Sequence, residues 1–576
     1  MAQVAQDHRY VADASVSVSR GPPLDSEPGL GALTLPGFLD QVTSAFSKHE
    51  ALAQLREDGT VERWSYGELR DRAMAVAKAL VACGIGKGER VGVLMTNRAE
   101  FLAAVFGAAL AGGVAAPLST FSTPDELEYL VGASACSVLL FERRVLKKDF
   151  AQMLCAIEPG IAASGPDGLS SLQFPFLRRL AMVGDDAPVG AIQDWAAFLA
   201  EGASVPSQQI EARAATVTPA DPGVLFFSSG STAKPKGILS AHRAVTIQMW
   251  RMARQQELDE KTRYWTANGF FWSGNFAMAL GATLAAGGTL VLQRTFDPVE
   301  ALDLIEAERA TFLFAWPHQW AQLIEAPNWP EKDLSALSHV DIDSPIAQHP
   351  TVTTTWVEPR HCYGNTETFT LSTGYPAGTS RDAAGGSHGL PLPGNTLKIA
   401  DPLTGGAVAV GERGEVAVKG PTLMLGYLGV PLSESLDEHG FFRTGDGGYV
   451  DAKGRLFWEG RLNDIIKTGG ANVSPAEIDE VLRQYPGVKH VQTVGVQHET
   501  LGELVVSCIV PFEDATLDEA AVRGFAREKL ASFKTPRRVL FFREGDFQLT
   551  GSSKVKTADL RKLAQQRLSE APGDAQ

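Results

Sequence analysis

Cysteine is scarce in this sequence. There are five, Cys83, Cys136, Cys155, Cys362 and Cys508, and no two stand in a C-x-x-C pair or at metal-ligand spacing. A disulfide scaffold and a cysteine-built zinc site are therefore excluded, and so sparse and odd a count fits a reducing cytosol and a cytoplasmic protein. Positive charge is also short: 52 Lys and Arg against 67 Asp and Glu leave a net charge of −15. A nucleic-acid footprint needs clustered basic residues, so no nucleic-acid partner is expected, and an anionic membrane surface is disfavoured. The opening MAQVAQDHRY lacks the basic-then-apolar pattern of a secretory signal. Long apolar runs are missing as well. The two longest uncharged stretches, Phe101–Leu118 and Phe276–Leu292, are at the short edge of a membrane span and each contains Gly-Gly. They predict a buried helix, a Gly-Gly turn and a buried strand, not an integral membrane segment.

What is present is ordinary globular composition, 44% hydrophobic and 21% charged, in a 576-residue chain too long for one core. The two helix–Gly-Gly–strand runs hint at related α/β halves. Residues 1–35, rich in Gly, Pro, Ser and Asp, read as a flexible segment. Ser65-x-x-Glu68 is a capping box for a helix whose stripe is Leu69, Ala73, Val76 and Leu80, closed by Gly84. Val91–Met95 reads as a buried strand, and helix–strand alternation continues to about residue 350. Gly385–Gly460 is β-rich and irregular. Beyond it, Ser474-Pro475-Ala476-Glu477 reads as a second capping box with Pro at the first helical position. Strands at Val505–Val510 and Val539–Phe542 flank a helix near Leu517–Leu530. The expected fold is α/β: a large N-terminal domain of two related α/β sheets plus a β subdomain, over 36–462, then a small C-terminal α+β domain over 463–570. Residues 571–576 read as a frayed tail.

Val224-Leu225-Phe226-Phe227, a short apolar strand, runs straight into SSGSTAKPKG, Ser228–Gly237. Hydroxyls, backbone N–H groups free to turn inward and two lysines suit a polyphosphate. The loop is not a Walker A motif, because Pro235 stands where that pattern continues with Gly-Lys. Four further segments follow: Tyr363–Glu367 (YGNTE), Phe441–Arg461 (FFRTGDGGYVDAKGRLFWEGR), Gly460–Ile478 (GRLNDIIKTGGANVSPAEI) and Leu549–Lys556 (LTGSSKVK). Taken singly, each reads as a turn, a hairpin or a solvated charge.

As an ordered set they resemble the adenylate-forming superfamily of acyl-CoA synthetases, aryl-CoA ligases, luciferases and peptide-synthetase adenylation domains. The resemblance covers about Leu35 to Leu568. It implies that Ser228, Ser229, Gly230, Ser231, Thr232, Lys236 and Gly237 bind the ATP phosphates. Tyr363, Gly364 and Asn365 would sit at adenine, Thr366 at the α-phosphate, and Glu367 with Thr232 at Mg²⁺, a hard cation that wants carboxylate and phosphate oxygens. Asp446 and Arg461 would take the ribose, Asn463 would be the hinge of a mobile C-terminal domain, Gly469 and Gly470 would line the CoA thiol's tunnel, and Lys554 would be the catalytic lysine. Three positions depart from the family pattern: Ala233 for Gly, Asn463 for Asp or Lys, and Ser553 for Gly. The acyl pocket would be built from FFWSGNF, AWPHQW and VDIDSP, with Phe271, Trp272, Phe276 and Trp316 facing an apolar acid, medium-sized or bulky.

The implied activity is that of an acyl-CoA synthetase: ATP, CoA and a carboxylic acid as substrates, Mg²⁺ as cofactor, and room for a homodimer. Three other readings stand beside it. One is delivery of the acyl group to a carrier-protein thiol or an amine in trans. Another is a non-catalytic nucleotide-binding relative. The third is a serine hydrolase, since Gly385–Gly389 (GGSHG) fits G-x-S-x-G; that motif needs a strand before and a helix after, and TSRDAA and LPLPGN supply neither.

Overall fold

The computed structural model describes residues 15–184, 186–228, 235–359, 361–462, 464, 466–468, 471–498, 501–530, 534–546 and 557–570. The chain divides into two compact units, Arg20–Thr396 with Val418–Gly440, and Val11–Ser19 with Leu397–Ala417 and the chain from Phe441 onward.

In the first unit an eight-stranded sheet runs in the order Ile192–Asp194, Arg179–Val183, Val138–Glu142, Arg90–Leu94, Val114–Pro117, Pro222–Ser228, Lys236–Ala241 and Gly426–Tyr427. The first six strands are parallel and the last two pairings antiparallel. A second sheet orders Phe312–Phe314, Arg263–Thr266, Thr289–Leu292, Glu50–Leu55 and Val61–Ser65, again parallel with one antiparallel edge. One apolar core joins Val91 and Val93 of the first sheet to Leu52 and Leu290 of the second through intervening helices. The two sheets therefore share a design, as the paired sequence runs suggested.

Both uncharged runs fold as expected. The first is helix Ala99–Leu110, a left-handed Gly112 and strand Val114–Pro117. The second ends in helix Ala282–Ala286, a left-handed Gly287 and strand Thr289–Leu292. Its first part is a wide π turn, Phe276–Gly281, which the sequence did not announce. A Cβ on Gly281 would lie 2.1 Å from the Met249 side chain, so glycine is what lets this turn pack on helix His242–Gln255.

Helix Tyr66–Ala82 carries the reciprocal Ser65/Glu68 cap, and Leu69, Ala73, Val76 and Leu80 are buried. The segment expected to be flexible is packed from residue 15 on. Strand Val18–Arg20 joins the β-rich sheet, and the carboxylate of Glu27 pairs with the buried Arg251, Nε to Oε1 at 2.8 Å. Its partners lie hundreds of residues away, so local composition could not reveal them.

The second unit holds a five-stranded sheet, Val18–Arg20, Thr396–Ala400, Gly414–Lys419, Phe442–Val450 and Leu456–Arg461, and the small α+β domain. In that domain strand Gly502–Pro511 forms a hairpin with Val488–His498 and also pairs with Ile466–Thr468 and Arg538–Phe541. Helices Pro475–Leu482 and Glu519–Lys529 cover one core and Thr557–Glu570 another. The helix at Pro475 starts where expected, but Ser474 makes no side-chain cap. Its hydroxyl donates to the Glu459 carbonyl instead, and Glu477 takes the Lys534 ammonium. Among the described residues no helix is long and apolar enough to cross a membrane.

Candidate active site

The candidate phosphate-loop segment lies between two paired strands. Strand Pro222–Ser228 enters it buried, and Lys236–Ala241 returns antiparallel, with Ser228 opposite Lys236 and Phe227 opposite Gly237. Ser229, Gly230, Ser231 and Thr232 lie outside the described residues, as does Ala233. Of the loop's candidate positions, Ser228, Lys236 and Gly237 are described. A Cβ on Gly237 would come within 3.0 Å of Leu428, so that strand packs close. The Tyr129 hydroxyl donates to the Pro235 carbonyl at 2.8 Å. The Lys236 ammonium sits 5.0 Å from the Tyr427 ring centroid, on a groove of about 440 Å³ that Phe227, Gly237 and Val430 also line.

Tyr363–Glu367 is held by its own backbone. Tyr363 is buried and bridges Thr373. A Cβ on Gly364 would lie 1.6 Å from the Thr370 carbonyl oxygen, so no other residue fits there. The Asn365 side chain caps the 3₁₀ turn Thr366–Thr368, accepting from the Thr368 N–H at 3.0 Å, while the Thr368 hydroxyl accepts from the Asn365 N–H at 3.1 Å. Phe369 and Thr370 then adopt positive φ, at 47° and 82°, which turns the chain back sharply. Thr366 and Glu367 stand half-buried as the first two residues of the 3₁₀ turn. The Glu367 carbonyl accepts from the Met424 N–H at 2.7 Å, and its Oε1 accepts from the Tyr427 hydroxyl at 2.8 Å. No Lys or Arg among the described residues pairs with it. Its other oxygen has no hydrogen bond among those residues.

No group of three or more His, Cys, Asp or Glu side chains forms a cage among the described residues. A single half-buried carboxylate, Glu367, near the Lys236 end of the candidate loop is a donor set that suits Mg²⁺, which is usually held by one or two carboxylates plus substrate phosphates. The residues present fit that ion.

The second unit carries Asp446 and Arg461 as a directly opposed pair across strands Phe442–Val450 and Leu456–Arg461. Asp446 is 4% exposed. Arg461 Nε meets its Oδ1 at 3.0 Å, and Arg461 Nη1 donates to the Thr444 carbonyl at 2.7 Å. Below them the Thr444 hydroxyl accepts from the Asp446 N–H at 3.1 Å and donates to the Val416 carbonyl, and Glu415 accepts from the Gly445 N–H at 2.9 Å. This support was not legible beforehand, because Val416 and Glu415 come from a different strand. Burial pushes the nearby Asp464 carboxyl up from its usual range. Asn463, Gly469, Gly470, Ser553 and Lys554 lie outside the described residues.

The aromatic candidates separate. Phe271 is buried between Trp272, 5.1 Å away, and Phe121, edge-on at 5.5 Å. Phe276 is fully buried against Phe101, Phe226 and Phe369 in the main core. Trp316 is 49% exposed and precedes helix Pro317–Glu325. Asn275 is locked too: its Oδ1 accepts from the Thr266 hydroxyl at 3.1 Å and its amide donates to the Asn268 carbonyl. The two acids of VDIDSP are structural. Asp341 is buried and accepts from the Asp343 and Glu358 N–H groups, and Asp343 pairs with Arg381.

Ser387 has no nucleophile geometry. It is fully buried, its hydroxyl donates to the Ala384 carbonyl at 2.7 Å and lies 2.8 Å from the Tyr375 hydroxyl, and a helix precedes it while strand Leu390–Pro391 follows. That is the reverse of a strand-to-helix elbow.

The profile of the family described as AMP-binding enzyme spans residues 39–428. The chain belongs to that family. The profile of the AMP-binding enzyme C-terminal domain follows at 477–554. Full-length relatives agree. The chain is 31% identical to 3-[(3aS,4S,7aS)-7a-methyl-1,5-dioxo-octahydro-1H-inden-4-yl]propanoyl:CoA ligase of Mycobacterium tuberculosis, over 92% of its length and 99% of the relative's. It is 31% identical to indoleacetate–CoA ligase of Aromatoleum aromaticum, over 87% and 93%. Among solved structures, ATP-bound MatB from Rhodopseudomonas palustris is similar at 25% identity with a TM-score of 0.69, covering 92% of this chain and 99% of that one. With such relatives, the family member described here is an enzyme of the AMP-forming acid–thiol ligase class.

Proposed function

We propose that this enzyme joins an apolar, bulky carboxylic acid to coenzyme A in two steps. In the first, the acid's carboxylate oxygen attacks the α-phosphorus of ATP, the bond to pyrophosphate breaks, and an acyl-adenylate forms. In the second, the thiol sulfur of CoA attacks the acyl carbon, losing its proton, and AMP leaves.

The observation that carries this reading is the glycine-locked Tyr363–Glu367 turn, which presents an unneutralised carboxylate beside the Lys236 end of the phosphate loop. Ser228–Gly237 would hold pyrophosphate in line with the attacking oxygen. Tyr363 would stack on adenine, Thr366 would reach the α-phosphate, and Asp446 would accept from the ribose hydroxyls while Arg461 donates to the ribose oxygens. Lys554 would stabilise the charge that builds at the α-phosphate. Glu367 and Thr232 would hold Mg²⁺, which when bound supplies neutralisation of phosphate charge. A pivot at Asn463 would then exchange Lys554 for the Gly469–Gly470 wall that lines the thiol's approach.

Two supports favour a bulky cyclic acid: the Phe121–Phe271–Trp272 aromatic group and the ring-bearing acids named for the two relatives at 31% identity. All five cysteines are free, in keeping with a cytosolic enzyme.

The test is ATP–pyrophosphate exchange over a panel of alicyclic, aryl and fatty acids, with the acyl-adenylate trapped and weighed by mass spectrometry. Exchange with none of them sinks the reading. Lys554→Ala should cut adenylation by roughly 10²–10³ and spare thioester formation from preformed acyl-adenylate; equal losses in both steps would remove Lys554 from this role. Free CoA should outrun carrier proteins as acceptor.

A further inference from the structure

Tyr427 stands outside every motif read from the sequence, yet it touches both halves of the phosphate end of the site. Its strand, Gly426–Tyr427, pairs with the strand that leaves the phosphate loop, Tyr427 opposite Ile238 and Gly426 opposite Leu239. The pairing is extended on both sides: Leu425 N–H donates to the Leu239 carbonyl at 2.7 Å and Leu428 N–H to the Gly237 carbonyl at 2.8 Å. One residue earlier, Met424 N–H holds the Glu367 carbonyl at 2.7 Å. The segment 424–428 is thus a splint between loop and carboxylate. At its centre the Tyr427 hydroxyl donates to Glu367 Oε1 at 2.8 Å, and the face of its ring lies 5.0 Å from the Lys236 ammonium.

We propose that Tyr427 is a positioning residue for adenylation: it fixes the rotation of the Glu367 carboxylate so that the second oxygen faces the metal-bound triphosphate. A neutral donor can do this without cancelling the charge, whereas a Lys or Arg at the same place would compete with the cation. The ring simultaneously gives Lys236 a seat, since an ammonium over a tyrosine face is held by the ring quadrupole. The proposal rests on the reading of Glu367 as the magnesium carboxylate.

Binding, measured by calorimetry on the full-length enzyme with the acid omitted, tests it without turnover. The quantity is the ratio of ATP affinity with and without Mg²⁺, in the wild type, Tyr427→Phe, Glu367→Gln and the double variant, with AMP affinity and melting temperature as controls for the fold. Tyr427→Phe keeps the ring beneath Lys236 and removes one hydrogen bond to a charged acceptor, so the magnesium-dependent gain should fall by about tenfold with AMP affinity unchanged. The double variant should be no worse than Glu367→Gln, because the two act as one unit. If Glu367→Gln loses the magnesium gain and Tyr427→Phe does not, the hydroxyl only packs the turn and the proposal falls while Glu367 keeps its role. If Glu367→Gln keeps the gain, Glu367 is not the metal carboxylate and both fall. Additive losses in the double variant also overturn the coupling.

Discussion

Glu367 and Asp446 are both carboxylates presented by tight backbone, yet they are fixed by opposite means. Glu367 rides a 3₁₀ turn, and its described side-chain partner is a neutral hydroxyl. Asp446 lies in a strand, almost fully buried, and faces a guanidinium at 3.0 Å. The difference teaches how one residue class can be left with two different capacities. A carboxylate left uncompensated keeps full attraction for a divalent cation. One already neutralised by arginine is left as an oriented acceptor, suited to hydroxyl donors. On the roles proposed above, charge would be placed at the phosphates and withheld from the sugar.

The comparison breaks most readily at Glu367. Glu367→Gln keeps an acceptor for Tyr427 and removes the charge, and should lower pyrophosphate exchange by roughly 10²–10³; a loss under tenfold would mean that the charge is not what matters. Gly364→Ala should come next. With a Cβ 1.6 Å from a backbone oxygen the turn must shift, and a displacement of that order costs about 10²-fold in rate, seen as lost exchange with nucleotide affinity weakened as well. Asp446→Asn keeps an acceptor and strands Arg461, so it should raise the KM for ATP by about tenfold while 2′-deoxy-ATP loses less; equal effects on both nucleotides would dissociate Asp446 from the ribose.

The smallest effects are on stability, and they differ in sign between the two units. In the first, burial lowers the His242 imidazole to about 4, and its Nδ1 accepts from the Leu35 N–H at 3.2 Å. A depressed base contributes stability above its ordinary value of 6.5 that is lost as pH falls toward 4. In the second, burial raises Asp479 to about 7 despite its hydrogen bond from the Thr493 N–H. A raised acid contributes stability below its ordinary value of 3.8 that is lost as pH climbs through 7. Urea unfolding across pH should therefore show His242→Gln relieving the acid-side loss and Asp479→Asn the alkaline-side loss, each on the order of 1 kcal/mol or more. Parallel pH trends in wild type and variants would remove these groups from the account.

Where the sequence was legible, the signal was local. The Ser65/Glu68 cap, the buried stripe behind it and the two helix–Gly-Gly–strand runs needed only their own neighbours. Gly364 stood in a motif, but the reason for it, a carbonyl six residues on, is geometric. Ser474 misled because a better partner, the Glu459 carbonyl, arrives from another strand. The strand at Val18–Arg20 hid in loop-like composition because its order comes from residues near 400. Tyr427 was invisible for the same cause: its hydroxyl matters only once residues 367 and 427 are brought together, and no spacing rule encodes that.

The wide turn at Phe276–Gly281 has a consequence for how this helix tolerates a change of length. A π turn holds one residue more than an α turn of similar rise. Deleting a single residue there would let the turn close as ordinary helix while Ser273–Asn275 and Ala282–Ala286 keep nearly the same phase, because the wide turn itself carries the extra residue. The turn is thus a place where the chain could lose one codon without re-aiming the aromatic stretch before it.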